Sequence, residues 1–215
     1  MTWLDITQTL EPGMTVWPGD VNFTSHGSSS IVSGDPCDVN SISLSLHAGT
    51  HADAPRHFRR GGPDIAACAL EAFLGPALVV DVRGERPVSL AAIARLASPH
   101  PPRLLLKTGT GVEQGWHEEF SYLATEAAAE LVRRGILLVG LDTPSVDEAR
   151  STSWPAHRLL ADAGVVVLEN LRLADVDPGP YELVALPLKL RNLEASPVRA
   201  ALRRPVRTDR ASVSE

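Results

Sequence analysis

Residues 46–58, which read LHAGTHADAPRHF, are the stretch around which the rest of the chain is organised. This stretch contains three of the seven histidines in the sequence, together with the aspartate Asp53. Imidazole and carboxylate groups are the usual ligands of zinc and of similar divalent metals. A single histidine would more often cap a turn and bond to the backbone. Three histidines and an aspartate at this density favour a shared metal ion, because so many partly buried polar groups need a common partner.

The spacing within this stretch predicts that the chain bends. The four polar residues all have odd numbers: His47, His51, Asp53 and His57. A straight strand would project them to one side, but it would also separate His47 from Asp53 by roughly 20 Å at ~3.3 Å per residue. Ligands of one ion lie much closer together than that. A helix is disfavoured by Gly49 and by Pro55, so we predict a strand that runs into a turn at these two residues.

Composition limits the class of protein. A length of 215 residues with 44% hydrophobic content predicts one domain with a substantial core. The net charge of −6 gives no electrostatic case for nucleic-acid binding. No apolar run approaches the ~20 residues that cross a bilayer, and residues 1–5 lack a secretory signal. Cys37 and Cys68 are too few for a disulfide framework. We therefore expect a cytoplasmic protein without membrane or nucleic-acid partners.

Hydrophobic periodicity predicts a mixed α/β domain over residues 1–203, with a flexible tail at 204–215. The predicted strands are 3–7, 40–47, 77–82, 103–108, 136–141, 165–170, 181–190 and 197–202. The predicted helices are 65–73, 89–97, 125–134 and 156–163. Strict alternation of strands and helices holds between about residues 77 and 170, with helices on one side of the sheet.

Two further predictions concern the region before the histidines. Residues 27–38 are rich in Gly and Ser, which indicates a loop or a mobile flap. Residues 40–47 alternate, so Ile42 and its apolar neighbours are predicted to face the core. His47 would then project from the polar face of a rigid strand. Trp17 lies in a Trp-Pro-Gly bend, where it is either a packed anchor or a flat wall for an aromatic ligand.

Two residues elsewhere have the chemistry of additional metal ligands. His157 lies in the predicted helix 156–163, and Glu169 ends the predicted strand 165–170. A turn at Gly164 can bring these two residues close together. A lone glutamate at a strand end is usually solvated, although one that follows a run of apolar residues on a core strand is costly unless it is paired. Glu169 becomes a candidate ligand because the histidine-rich stretch needs further ligands.

These features resemble the cyclase-like amidohydrolases, and the resemblance extends over about residues 3–203. The matching segments are 16–20 (VWPGD), 47–58 (HAGTHADAPRHF), 140–146 (GLDTPSV), His157, 168–171 (LENL), 181–190 (YELVALPLKL) and 195–200 (ASPVRA). The His-x-Gly-Thr-His-x-Asp-x-Pro motif is typical of the wider superfamily. The Trp-Pro-Gly-Asp and Leu-Pro-Leu-Lys-Leu segments indicate its formamidase branch.

The resemblance implies a role for each candidate residue. The implied ligands are His47, His51 and Asp53 for a first zinc ion and His157 for a second, with Asp53 and Glu169 serving both. His57 would transfer protons, and Trp17 would contact an aromatic ring of the substrate. Manganese or another divalent ion suits the same ligand types. The implied fold is a β/β/α sandwich of the swivelling-domain type, assembled as a homodimer.

The implied activity is hydrolysis of N-formyl-L-kynurenine, an aromatic formamide, to L-kynurenine and formate during tryptophan breakdown. Two alternatives stay open. One is hydrolysis of another small or cyclic amide, such as an isatin-like ring, with the same metals. The other is a metal-binding protein without turnover. Asp147-Glu148 and residues 151–154 (STSW) depart from the family pattern, which makes the substrate range the least determined property.

Overall fold

The computed structural model describes residues 2–205, which form eleven strands and four α-helices. The strands are β1 (Leu4–Asp5), β2 (Thr24–Ser29), β3 (Val39–Ser43), β4 (His51–Asp53), β5 (Leu74–Asp81), β6 (Arg103–Lys107), β7 (Leu138–Leu141), β8 (Val166–Glu169), β9 (Gly179–Val184), β10 (Ala195–Pro197) and β11 (Ala201–Arg203). The helices are α1 (Leu70–Phe73), α2 (Leu90–Ala94), α3 (Thr125–Arg133) and α4 (Pro155–Asp162). The predicted tail lies outside the described residues from residue 206 onward.

Nine of these strands form one mixed sheet in the order β1-β11-β9-β5-β6-β7-β8-β4-β10. Its centre is parallel, because β5, β6, β7 and β8 are joined by crossovers that contain α2, α3 and α4. The flanking strands pair antiparallel, with β9 next to β5 and β4 next to β8. The predicted mixed α/β class is confirmed, and so is the alternation of strands and helices in the middle of the chain.

The sheet is buried on both faces by two separate apolar clusters. Alternate residues of β6 show the division, since Leu104 and Leu106 belong to the cluster beneath the helices while Leu105 belongs to the opposite one. The helices contribute Ile93, Leu131 and Leu160 to the first cluster. Burial on both faces explains why the central strands are continuous apolar runs rather than alternating ones.

Local signals predict several element ends correctly. The hydroxyl of Ser89 accepts a hydrogen bond from the Ala92 backbone amide at 3.2 Å, so the predicted N-cap of α2 is confirmed. Gly135 follows α3 with a positive φ of 71°, as the predicted stop requires. The helix predicted over 65–73 is divided into a 3-10 turn and α1, and the strand predicted over 181–190 ends at Val184.

The prediction for residues 27–47 is wrong in two respects. Part of the Gly/Ser-rich segment is a strand, because β2 pairs antiparallel with β3 in a separate two-stranded sheet. Both strands of this ribbon are largely exposed, and the side chain of Ile42 is 59% accessible rather than part of the core. His47 follows β3 in a turn and does not lie on a strand. Alternation shows that Ile42 and its neighbours share a face, but packing decides whether that face is covered.

Within residues 2–205, no helix is long and apolar enough to cross a membrane.

Candidate metal centre

Strand pairing brings the histidine-rich stretch to the end of β8. His51 and Asp53 project from the same side of β4, because they are two residues apart on a strand. His51 lies directly opposite Glu169 in the antiparallel register of β4 and β8. All three residues of β4 are buried. Backbone hydrogen bonding in the sheet therefore holds these three polar side chains close together in the protein interior.

The bend before β4 depends on Gly49. This residue has a φ of 62°, a conformation that favours glycine. A Cβ atom there would lie 2.8 Å from the Leu10 Cδ2 atom and 3.1 Å from the Met14 Cε atom. The predicted bend at Gly49 is thus confirmed, and it turns His47 back toward Asp53.

The first possible ligand group consists of His47, His51 and Asp53. The Asp53 Oδ1 atom lies 3.1 Å from His47 Nδ1 and 3.5 Å from His51 Nε2. One ligand atom from each residue lies within 4.8 Å of the other two, which is close enough for a single ion to contact all three. His47 Nε2, on the far side of its ring, lies 3.5 Å from a carboxylate oxygen of Glu194.

The second possible ligand group consists of Asp53, His157 and Glu169. His157 Nε2 lies 3.2 Å from Glu169 Oε1 and 3.8 Å from Asp53 Oδ2. The ligand atoms of this group also lie within 4.8 Å of one another. Asp53 belongs to both groups, and it turns one oxygen toward each of them. The structure therefore brings together all five residues that the sequence analysis singled out as ligands.

Unpaired buried atoms show that these residues fit a divalent cation. His51 Nε2 and both carboxylate oxygens of Asp53 are buried without a hydrogen-bond partner among the described residues. A buried carboxylate whose oxygens accept no hydrogen bond is costly in a protein interior, even with histidines nearby. A cation that contacts Asp53 and His51 would remove this cost, and their oxygen and nitrogen donors suit zinc or manganese.

Charge within the centre shifts the pKa values in opposite directions. Burial opposes ionisation of Asp53, but the neighbouring His47, His57 and His51 outweigh it and hold the Asp53 pKa well below its usual range. Burial also opposes protonation of His47, yet the charges of Asp53, Glu169 and Glu194 raise its pKa to about 9. The carboxylates thus strongly stabilise positive charge in this part of the centre.

The structure adds Asp147, whose role the sequence analysis missed. This carboxylate is buried and accepts a hydrogen bond from His157 Nδ1 at 2.8 Å. It also accepts from the backbone amides of Ala156 and His157 at 2.9 and 3.0 Å. Burial alone would lower the pKa of His157, but its hydrogen bonds to Asp147 and Glu169 raise that pKa to about 9. Asp147 therefore fixes the ring so that Nε2 faces Glu169, as outer carboxylates do around metal-bound histidines.

A sequence signal for Asp147 exists at the start of α4. Trp154 occupies the N-cap position and has no side-chain oxygen that could accept a hydrogen bond from the first helical amides. Those amides need an acceptor from elsewhere in the chain. An aspartate that shortly precedes a helix with such a cap is a candidate for this acceptor.

His57 lies beside the two ligand groups and is not a member of either. It ends the 3-10 turn Pro55–His57, and its Nε2 atom lies 3.9 Å from Asp53 Oδ2. Its ring centroid is 4.4 Å from that of His47. Burial lowers the pKa of His57, and the charge of Asp53 only partly opposes this. A neutral imidazole at this position can accept a proton.

The centre opens into a cavity of about 330 Å³. We call the five ligand candidates the polar half; His47, His51, His157 and Glu169 line the cavity, and the buried Asp53 lies beside them. The aromatic half consists of Trp17, Phe58 and Trp154, which also line the cavity. Trp17 packs edge-on against Trp116, with ring centroids 4.9 Å apart, and also lies against the buried Phe120. The Trp17 indole thus packs against other aromatic rings and also lines the cavity. Its position is compatible with both roles, a packing anchor and a flat wall for an aromatic ligand.

Comparison with known proteins identifies the class to which this fold and centre belong. The family model described as "Putative cyclase" matches residues 4–148. The chain belongs to this cyclase family, which confirms the predicted resemblance.

The chain is also similar to named enzymes and to solved structures. The kynurenine formamidase of Polaromonas naphthalenivorans (strain CJ2) is 44% identical over 200 residues, which are 93% of this chain and 89% of that protein. A solved structure described as a potential metal-dependent hydrolase with cyclase activity is 31% identical, with a TM-score of 0.83 over 95% of this chain and 99% of that one. Isatin hydrolase A from Labrenzia aggregata is 26% identical, with a TM-score of 0.80 over 94% and 93%.

Proposed function

We propose that this chain is a metal-dependent arylformamidase that hydrolyses N-formyl-L-kynurenine to L-kynurenine and formate, a step in tryptophan breakdown. One observation carries the proposal: two ligand groups that share Asp53 lie at a cavity that the aromatic side chains of Trp17, Phe58 and Trp154 also line. An aryl formamide has the two matching parts, a reactive amide carbonyl and a flat apolar ring. The 44% identity to a kynurenine formamidase supports the same substrate.

The proposed centre holds two zinc ions in each subunit. His47, His51 and Asp53 would bind the first ion, and His157 would bind the second, with Asp53 and Glu169 available to both. Bound divalent ions lower the pKa of a water molecule and stabilise the negative charge that develops on an amide oxygen. Manganese or another divalent ion can replace zinc, because the nitrogen and oxygen donors accept both.

His57 is proposed to move the proton. Its Nε2 atom would accept a proton from the attacking water and deliver it to the anilide nitrogen as the carbon–nitrogen bond breaks. The low pKa of His57 keeps the ring neutral and able to accept before the reaction. Asp53 Oδ2, 3.9 Å away, would stabilise the ring while it carries the proton. The formic acid that forms releases its remaining acid proton to solvent, so the products leave as formate and a neutral aromatic amine.

Trp17 is proposed to bind the aromatic ring of the substrate. Its indole is supported from behind by Trp116 and Phe120, so it can present a fixed wall to the cavity. A rigid aromatic wall loses little conformational entropy when a ring stacks on it.

Assembly and location are also part of the proposal. We infer a homodimer, because the resemblance to the formamidase branch implies one. Cytoplasmic location and the lack of a nucleic-acid partner are inferred from the sequence, including its net charge of −6.

The test combines metal analysis of the purified protein with assays on N-formyl-L-kynurenine, isatin and a simple alkyl formamide. We expect two divalent ions per chain and the highest kcat/KM on N-formyl-L-kynurenine. A higher kcat/KM on isatin would instead favour hydrolysis of a cyclic amide, the candidate supported by the likeness to isatin hydrolase A. A fully metal-loaded sample that hydrolysed no amide would support a metal-binding protein without turnover.

A further inference from the structure

Trp154 has an unusual backbone conformation at the edge of the cavity. Its φ and ψ are 51° and 55°, in the left-handed region that bulky residues rarely occupy. Its backbone amide donates to the Ser151 hydroxyl at 3.0 Å, and its carbonyl accepts from the Arg158 amide at 3.0 Å. Pro155 begins α4 directly after it. Contacts on both sides of the residue therefore hold this conformation in place.

The indole of Trp154 forms one side of the aromatic half. Its ring centroid lies 5.7 Å from Phe58 and 6.0 Å from Trp17, with interplanar angles of 39° and 54°. The ring of His157, in the first turn of α4, has its centroid 5.9 Å from the same indole. The three aromatic side chains therefore contact one another and form one wall of the cavity, with a candidate metal ligand at its edge.

One carboxylate connects this aromatic wall to the polar half. Asp147 accepts hydrogen bonds from the amides of Ala156 and His157, which immediately follow the Trp154–Pro155 pair. The same carboxylate accepts from the His157 ring. The start of α4 is therefore fixed to the group that orients His157, so Trp154 and His157 keep a constant separation. A ring held against Trp154 has a defined distance to the polar half.

We propose that Trp154 determines specificity for aryl formamides over alkyl formamides by contacting the aromatic ring of the substrate. This inference rests on the proposed function. A planar ring in the cavity can lie against the wall that Trp154, Phe58 and Trp17 form together. An alkyl chain gains less from these flat walls, because it offers no ring to stack on them. The fixed start of α4 orients the ring so that its formamide group faces the polar half.

Substitution of Trp154 tests this role through substrate selectivity. We expect Trp154→Ala to raise the KM for N-formyl-L-kynurenine and formanilide roughly two- to twelvefold, with little change for N-butylformamide. Trp154→Phe should recover most of the loss, because it restores a ring. Trp3→Ala is the matched control, since Trp3 is exposed and packs beneath the Arg203 guanidinium. Equal losses on aryl and alkyl formamides, or a lower metal content in Trp154→Ala, would contradict the proposal.

Direct binding separates this inference from the proposed function. The probe is 2-aminoacetophenone, an aryl ketone without a formyl group, and its affinity for metal-loaded protein is measured by calorimetry. We expect Trp154→Ala to weaken binding roughly two- to twelvefold and Trp3→Ala to leave it unchanged. Failure of the wild-type protein to hydrolyse any formamide would contradict the proposed function, while this binding measurement still tests Trp154. Unchanged affinity in Trp154→Ala would overturn the role of Trp154 even if hydrolysis is normal.

Discussion

The two halves of the cavity are held in place by different means. Three residues of the polar half lie on β4 and β8, where hydrogen bonding in the sheet sets their separation. The aromatic half comes from connecting segments: the bend at Trp17, the residue after the 3-10 turn at Phe58, and the left-handed residue Trp154. Ring contacts and helix capping position these side chains instead. This difference implies that the sheet determines the chemistry, whereas the segments around it determine which substrate is accepted.

The largest expected effect follows from removing the residue shared by both ligand groups. Asp53→Ala should lose metal from both positions and reduce activity to the background rate, because in the proposed centre one carboxylate would serve both ions. Metal analysis of the purified variant gives the metal-to-protein ratio. Asp53→Asn keeps the shape of the side chain but not its charge. Its metal content therefore shows whether metal binding depends on the charge or on the volume of residue 53. An unchanged ratio in the alanine variant would contradict the shared role of Asp53.

Removal of His57 should separate proton transfer from metal binding. We expect His57→Ala to keep its full metal content while kcat falls by roughly 10²–10⁴, the usual contribution of general acid–base catalysis. His117→Ala is the matched control, because His117 is exposed.

The leaving group provides a second check on His57. A substrate whose nitrogen leaves easily needs less help from a proton donor, so it should be less affected by His57→Ala than a slow-leaving anilide. Equal losses on the two substrates, with metal retained, would show that His57 positions groups and does not protonate the leaving nitrogen.

A smaller effect is expected from the residue that joins the two halves. Asp147→Asn should lower metal affinity or activity about 10- to 100-fold, the usual effect of changing an outer carboxylate of a metal site. Titration with a competing chelator measures this affinity. Asp177→Asn serves as a control, because the Asp177 side chain is 82% accessible. If the two variants bound metal equally well, Asp147 would only cap α4.

The smallest expected effect concerns the aromatic half. Trp17→Ala should raise the KM for N-formyl-L-kynurenine about two- to twelvefold and leave the metal content unchanged, since aromatic contact contributes about 0.5–1.5 kcal/mol beyond burial. Thermal unfolding monitored by circular dichroism tests the other role of Trp17. If Trp17→Ala unfolded, or if its KM equalled that of the wild-type protein, Trp17 would be only a packing anchor.

Predictability from the sequence also differs between the two halves. The polar half could be predicted from the sequence because four ligand-type or proton-transfer residues lie within residues 46–58, and because Glu169 is a charged residue on an apolar strand. Local patterns also predicted the central strands, since burial on both faces leaves a continuous apolar run.

Other features depend on contacts between distant segments. Trp154 and Phe58 are far apart in the sequence, and only the position of α4 beside the 3-10 turn brings their rings together. The ribbon of β2 and β3 was predicted incorrectly for a related reason. Its alternation is real, but the sequence does not reveal that this pair of strands forms a sheet of its own, with Ile42 exposed.

The most direct test of the central claim is anomalous diffraction from crystals of the zinc-loaded protein. Our account predicts two zinc peaks in each chain, both about 2.0–2.2 Å from ligand atoms and with Asp53 contacting both ions. His47 and His51 should complete the ligands of one ion, and His157 should contact the other, with Glu169 available to both. Zinc peaks away from Asp53, or a single ion bound without His157 and Glu169, would contradict the account.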